Sequence, residues 1–136
     1  MLVRDPAEIL REARTIAVVG ASASPGRSSH GVMRYLLSAG YRCIPVNPHC
    51  DEVLGVPAVA SLAGIDEPID LVDVFRRPEF CGDHAREAVA AGAGALWLQS
   101  GIVSADARAV AEAAGIDYVE NACTAVVHST RVRSRR

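Results

Sequence analysis

The feature that most constrains this chain is a short β-branched run that ends at a glycine and leads through small residues into an amphipathic segment. The run spans residues 15–19, Gly20 follows it, and small residues continue to Ser29. Apolar side chains then recur at helical spacing from Val32 to Leu37. A strand, a small-residue loop and a helix in this order bring free backbone N–H groups and the positive end of a helix dipole to one point. We therefore expect an anion-binding turn here.

The loop departs from both common phosphate-binding fingerprints. The segment Gly20-Ala21-Ser22 lacks the second glycine of G-x-G-x-x-G, and a Walker P-loop needs a lysine. The chain has fourteen arginines and no lysine, so a Walker lysine and a Schiff-base lysine are both excluded. The remaining interpretation is an anion site built from backbone N–H groups, hydroxyl groups and arginine.

The rest of the chain alternates strand and helix patterns. Further strands are predicted at four places, residues 41–47, 70–75, 95–99 and 116–120. Further helices are predicted from three N-terminal signals, at Asp5, Pro78 and Ser104. Residues 48–69 are less regular, with a short pairing within 53–59 and a helical turn at 61–63. Strands that alternate with helices pair in parallel through right-handed crossovers, so the pattern predicts a doubly wound α/β fold with a mainly parallel sheet of five strands.

The length bounds the domain organisation. A chain of 136 residues is long enough for one domain with a sizeable core. We expect residues 1–136 to form that single domain, with an N-terminal helix within residues 1–14. Four of the last six residues are arginines, and we interpret residues 129–136 as a flexible, solvated tail. Pro45 has no N–H to donate within the second strand, which indicates an edge strand or a strand end.

Ligands of a doubly wound sheet bind outside the carboxyl ends of its strands, where the strand order reverses. The predicted strand ends carry hydroxyl groups, amides and two adjacent arginines but no carboxylate: Gly20-Ala21-Ser22, Val46-Asn47-Pro48-His49, Phe75-Arg76-Arg77, Gln99-Ser100-Gly101 and Asn121. An edge rich in donors and without acids is suited to an anion. Simpler interpretations stay open, because the arginines also suit a solvated pair and the loop serines also suit helix caps: Ser22, Ser24, Ser28 and Ser29.

The end of the second strand discriminates between nucleotide cofactors. A dinucleotide of the NAD type needs an acidic residue there for its ribose hydroxyls. Asn47 occupies that position, so NAD is disfavoured. A nucleotide with an additional ribose phosphate suits the nearby arginines, and both NADP and coenzyme A (CoA) are of that kind.

Charge and composition exclude several classes of partner. The net charge of −2 gives no general attraction to nucleic acid, and no apolar run approaches the roughly 18 residues of a membrane span. The N-terminus lacks the pattern of a signal peptide. Four cysteines without C-x-x-C spacing predict reduced thiols in a cytoplasmic protein, and no metal site is predicted.

Several motifs stand in the order in which one known family carries them: Gly20-Ala21-Ser22, Pro25-x-Arg27-x-Ser29, Pro45-Val46-Asn47-Pro48, Asp70–Pro78 and Trp97-x-Gln99-x-Gly101. From about Thr15 to Cys123 the chain resembles the stand-alone CoA-binding proteins, which are similar to the N-terminal CoA-binding domain of the succinyl-CoA synthetase α subunit. The resemblance implies a Rossmann-like fold that binds CoA or an acyl-CoA.

The resemblance also implies a role for each strand end. The pyrophosphate would lie near Gly20–Ser22 and Arg27, the adenosine along Val46–Pro48, and the two arginines near a phosphate or the adenine. The expected cofactor-binding residues are Gly20, Ala21, Ser22, Ser24, Arg27, Ser28, Val46, Asn47, Pro48, Phe75, Arg76, Arg77, Gln99 and Gly101.

The chain departs from the family after Asn121, where a basic residue is missing, so no role is transferred to that segment. Cys123 keeps its position, and we interpret it as an inert thiol, with a mixed disulfide to the CoA thiol as the alternative. The strand ends contain no acid/base pair and no nucleophile with a positioned base. The favoured interpretation is therefore a binding module without catalysis of its own, which acts as a carrier, a sensor or a partner of an acyl-CoA enzyme; a purely structural α/β subunit is a further interpretation. The alternative is a small NADP-dependent or acyl-transfer enzyme that uses Cys123 or His49, and the oligomeric state stays open.

Overall fold

The computed structural model describes residues 4–133. Within that range the strands are β1 (Thr15–Val19), β2 (Arg42–Val46), β3 (Glu52–Val53), β4 (Val56–Pro57), β5 (Leu71–Val74), β6 (Ala95–Leu98) and β7 (Asp117–Val119). The α-helices are α1 (Pro6–Glu12), α2 (Ser28–Ser38), α3 (Pro78–Ala90), α4 (Ala105–Ala114) and α5 (Thr124–Val127). A 3₁₀ turn spans Leu62–Gly64, and a π-helical turn at His128–Val132 continues α5.

Five of these strands form one parallel sheet in the order β2-β1-β5-β6-β7. β1 pairs with β2 on one side and with β5 on the other, so the strand order reverses between β1 and β5. Helices cover both faces, with α1, α2 and α5 on one face and α3 and α4 on the other. The predicted doubly wound, Rossmann-like α/β fold is confirmed, and its reversal point is where such folds bind ligands.

The core consists of two apolar layers, one on each face of the sheet. Successive residues of β1 serve different layers, since Val18 faces α1 and α2 while Val19 faces α3 and α4. Trp97 of β6 is fully buried, and its indole N–H donates to the Ala122 carbonyl at 2.8 Å. The tryptophan therefore buries a large apolar area without an unpaired polar atom, and it ties the segment after β7 to the sheet.

Local signals place two helix starts where the sequence predicts them. Asp5 and Glu8 form a reciprocal capping box on α1, and Pro6 takes the first helical position. The Ser104 hydroxyl accepts from the Ala107 N–H at 3.0 Å and caps α4.

Pro45 lies in β2, an edge strand of the sheet, as its missing N–H predicts. Its carbonyl accepts from the Val59 N–H at 3.0 Å, and the Asn47 N–H donates to the Val59 carbonyl at 2.9 Å. The segment around Val59 therefore covers part of this edge. The irregular region predicted at 48–69 contains the antiparallel β3–β4 pair and the 3₁₀ turn.

The part of the predicted flexible tail (residues 129–136) that the structure describes forms helical turns as far as Val132. The helical turns after Cys123 extend to Val132, which packs in the same apolar layer as Leu10 of α1. The Arg11 guanidinium also donates to the Arg131 carbonyl at 3.2 Å. The arginines of the segment suggested solvation, but Val132 between them anchors it to α1. Residues 1–3 and 134–136 lie outside the described range, the latter including the end of the predicted tail.

Candidate functional site

The candidate site is built around Gly20, which follows β1 at the reversal point of the sheet. Its N–H donates to the Val46 carbonyl at 3.0 Å, and its φ angle is +85°. A Cβ atom on this residue would lie only 2.6 Å from the carbonyl oxygen of Phe75. Only glycine therefore allows the turn after β1 to approach the end of β5 this closely.

The N-terminus of α2 faces the same space. Arg27 takes the N-cap position, and among residues 4–133 no side chain caps this helix. The serines of the loop therefore do not act as caps, and the Ser22 hydroxyl instead accepts from the Ser24 N–H at 3.0 Å. The first-turn N–H groups of an α-helix have no partner within the helix, so this end carries a partial positive charge.

A cavity of about 250 Å³ joins these two features. It is lined by Gly20, Ala21, Ser22, Arg27, Ser28, Ser29, Asn47, Phe75 and Arg76. The lining contains two arginines, three serines and no carboxylate. Backbone N–H groups, hydroxyl groups and guanidinium groups meet here as the sequence predicts, and this chemistry suits a phosphate group.

Two further cavities adjoin the first and share residues with it, and together the three form one groove. A cavity of about 160 Å³ extends towards Val46, Pro48 and Ser61. A cavity of about 410 Å³ extends towards Arg77 and Phe80. Arg76 lines all three cavities and so stands at the centre of the groove.

The two arginines after β5 lie on a well-fixed turn. The Arg76 guanidinium carbon lies 4.8 Å from the centre of the Phe80 ring. The Cys81 thiol donates its one proton to the Arg77 carbonyl at 3.4 Å, and the Arg76 carbonyl oxygen also lies 3.7 Å from its sulfur. Burial raises the pKa of Cys81 to about 11, so the thiol keeps the proton that it donates. In the part of the chain that the structure describes, neither arginine forms an ion pair with a carboxylate, so both charges are available to an anion.

Asn47 shapes the groove from the end of β2. Its side-chain N–H donates to the Ala21 carbonyl at 2.7 Å, and its side-chain oxygen accepts from the His49 N–H at 2.7 Å. Both ends of the carboxamide are thus bonded within the protein. The side chain therefore fixes the loop after β1 relative to β2, which an aspartate could not do because it has no N–H to donate.

Three of the predicted site residues do not line the groove. Ser24 supports the loop through its N–H bond to Ser22. Gln99 is buried, and its side-chain oxygen accepts from the N–H and the hydroxyl of Thr124. The Gly101 N–H donates to the Asn121 side-chain oxygen at 2.7 Å. The other predicted residues line at least one of the three cavities: Gly20, Ala21, Ser22, Arg27, Ser28, Val46, Asn47, Pro48, Phe75, Arg76 and Arg77.

Gln99 belongs to a buried polar cluster, together with Asp73 and Thr124. The Thr124 N–H donates to Gln99 Oε1 at 3.1 Å, which fixes that atom as an acceptor. Thr124 Oγ1 lies 2.9 Å from both Gln99 Oε1 and Asp73 Oδ2. One hydroxyl proton serves only one of two acceptors, so the other contact needs a proton on Asp73. Burial raises the pKa of Asp73 to about 8, in agreement with a protonated carboxyl group.

Sequence reasoning missed several residues of the groove. His84 and Glu87 of α3 line its smaller side cavity, and the His84 Nδ1 and Glu87 Oε1 atoms lie 3.0 Å apart. Glu87 is a carboxylate in a groove that was expected to contain none. Helical spacing could have indicated them, because Phe80, His84 and Glu87 stand at positions i, i+4 and i+7 and therefore share one face of α3. Ser61, by contrast, lies in the loop between β4 and the 3₁₀ turn, and no local sequence pattern indicates that it lines the groove.

The described part of the chain contains neither a metal-binding cluster nor a membrane-spanning helix. Among residues 4–133, no group of three or more His, Cys, Asp and Glu side chains is arranged to hold a metal ion. No helix within that range has the length and apolar character that crossing a bilayer requires.

The fold and the groove define a Rossmann-like α/β protein with a cationic groove where its strand order reverses. Residues 14–129 match the model of the CoA binding domain family, and the chain belongs to that family. This confirms the resemblance on which the sequence interpretation relied.

The chain is also similar to individual proteins. It is 44% identical over 122 residues to the uncharacterized protein YneT of Bacillus subtilis, with 90% of each chain covered. The structure of a hypothetical protein from Pyrococcus horikoshii OT3 superposes with a TM-score of 0.89 at 37% identity, covering 91% of this chain and 87% of that one. A stretch of 58 residues is 29% identical to an ADP-forming acetate–CoA ligase of Methanocaldococcus jannaschii. That stretch covers 43% of this chain and 8% of the ligase.

Proposed function

We propose that this protein binds CoA or an acyl-CoA in the groove at the carboxyl edge of its sheet, without catalysing a reaction of its own. The observation that carries the proposal is the convergence of the Gly20 turn, the uncapped start of α2 and Arg76 on one acid-free cavity. Membership in the CoA binding domain family and the similarity to a stretch of an acetate–CoA ligase support CoA as the ligand.

Within this proposal, each part of CoA is assigned to a part of the groove by the charge and polarity of the residues that line it. The pyrophosphate is placed at the Gly20 turn and the start of α2, where N–H groups and Arg27 meet. The adenosine is placed along Val46–Pro48, whose cavity has a more apolar lining. Arg76 and Arg77 are then left for a phosphate or the adenine, both of which a guanidinium group binds well.

The proposal extends to the extent of the domain, the cellular location of the protein and its role beside other enzymes. Residues 1–136 act as one CoA-binding domain, because the groove draws on residues from Gly20 to Glu87 around one continuous sheet. A cytoplasmic location is part of the proposal, and the four free cysteines support it because thiols stay reduced there. A module that binds without chemistry of its own would act as a carrier, a sensor or a partner of an enzyme that makes or consumes the acyl-CoA.

Isothermal titration calorimetry with CoA, acetyl-CoA and NADP tests the proposal. The folded protein should release or absorb heat with CoA and acetyl-CoA and bind NADP more weakly. Arg76→Ala should lose about 1.5–3 kcal/mol of binding free energy, because it removes a charge-assisted bond to phosphate. Ser22→Ala should lose only about 0.5–1.5 kcal/mol, as for a neutral hydrogen bond.

Arg14→Ala is the matched control, since Arg14 is exposed and lines a separate cavity at the amino edge of the sheet. It should bind CoA like the parent. Absence of heat from a protein that circular dichroism shows to be folded contradicts CoA binding. Tighter binding of NADP than of CoA favours the alternative of an NADP-dependent enzyme.

A further inference from the structure

Phe80 is a large apolar residue that the fold leaves partly exposed beside the groove. It lies in the first turn of α3 and is 39% exposed. One face of its ring is covered by the guanidinium group of Arg76, 4.8 Å from the ring centre. An arginine over an aromatic face is held there by the ring quadrupole and by the contact area of the two planar groups.

The rest of the Arg76 side chain is also held in place. Its Cδ atom lies 3.2 Å from the point where a Cβ on Gly20 would stand, so the stem crosses the glycine turn. The stem therefore packs on Gly20 while the head packs on Phe80. In the described part of the chain no carboxylate pairs with this guanidinium group, so the ring and the stem contact, not an ion pair, set its position.

Fixing an arginine before the ligand arrives has a clear energetic consequence. A long side chain that is immobilised only on binding loses rotamer freedom at that moment, which weakens the complex. An arginine that is already held in the groove loses less. We infer that Phe80 is a positioning residue, which holds the Arg76 guanidinium group across the groove for a phosphate of the ligand. The inference rests on the proposed CoA-binding function.

A double-mutant cycle with CoA as the titrant tests the inference. Phe80→Leu keeps an apolar side chain but removes the aromatic face, and it should weaken binding about two- to fivefold. Phe80→Trp keeps an aromatic face and should restore binding to near the parent value. In an Arg76→Ala background, Phe80→Leu should cause no further loss, because the residue then has no guanidinium group to hold.

The other outcomes contradict either the positioning role of Phe80 or the binding of CoA itself. An equal loss from Phe80→Leu in both backgrounds means that the ring contacts CoA directly, and unchanged affinity means that it has no role; either overturns the inference. A parent protein that is folded but gives no heat with CoA overturns the proposed function, and the inference falls with it. Val126→Ala, which alters an exposed apolar residue of α5, is the control and should bind like the parent.

Discussion

Replacing Asp73 with asparagine should remove a large part of the pH dependence of this protein's stability. Asp73 is fully buried in β5, and in the described residues its Oδ1 atom has no hydrogen-bond partner. The other carboxyl oxygen contacts the Thr124 hydroxyl at 2.9 Å. Asparagine has the same shape and supplies an N–H to that hydroxyl, so it substitutes for the protonated acid without introducing a charge.

The direction and the size of this pH dependence follow from the pKa of Asp73. Burial raises the pKa of Asp73 to about 8 in the folded protein, whereas an aspartate in an unfolded chain has a pKa of about 3.9. Between these two values the folded state keeps a proton that the unfolded state has lost. The free energy of unfolding therefore falls as the pH rises, by about 1.4 kcal/mol per unit for this residue, and the effect ends above the folded pKa. From about pH 5 to about pH 8 the parent should lose roughly 4 kcal/mol that the variant keeps.

Urea unfolding of the parent and of Asp73→Asn over this pH range measures the difference directly. The stability of the variant relative to the parent should grow steadily up to about pH 8 and then level off. Asp51→Asn, at an exposed carboxylate, should run parallel to the parent. A constant difference between Asp73→Asn and the parent across the range would refute the assignment of a proton to Asp73.

Three further substitutions test other parts of the description. Gly20→Ala places a Cβ 2.6 Å from the Phe75 carbonyl oxygen at a φ of +85°, so unfolding in urea should show a loss of about 1–3 kcal/mol and calorimetry should show weaker CoA binding; unchanged values in both would contradict the tight turn. Trp97→Phe leaves the Ala122 carbonyl without its donor and should lower the free energy of unfolding by about 1–3 kcal/mol, with the midpoint of thermal unfolding as the measurement. Asp5→Ala removes the cap of α1 and should lose about 0.5–2 kcal/mol, whereas Asp5→Asn keeps an acceptor and should lose much less; equal losses in urea unfolding would argue against the capping box.

The sequence predicted the fold and the centre of the groove because their signals are local. A β-branched run, a glycine and a helical repeat define β1, the Gly20 turn and α2 within a short stretch of chain. The carboxyl ends of parallel strands meet at one edge, so the sequence predicted that the Gly20 turn and Arg76 lie at the same edge. The structure adds that β5 is the neighbour of β1, which brings Gly20 beside Phe75.

The features that the sequence did not indicate depend on which way a side chain faces. Gln99 follows β6 at the expected edge, but it lies on the face covered by α5 and bonds to Thr124 instead of lining the groove. The short helix α5 has only four residues, too few for a periodic signal. Asp73 in an apolar strand gave no indication of a buried acid, because its partner Thr124 lies 51 positions along the chain.

An NMR titration of ¹⁵N-labelled protein with CoA tests at once whether CoA binds and whether it binds at the carboxyl edge of the sheet. If CoA binds there, the backbone amide signals of Gly20, Ser29 and Arg76 shift and saturate together. The signals of Gly40 and His128, which line a cavity of about 560 Å³ at the opposite edge, should stay in place. Shifts confined to that opposite cavity, or a well-dispersed spectrum that CoA leaves unchanged, would show that CoA does not bind at the carboxyl edge.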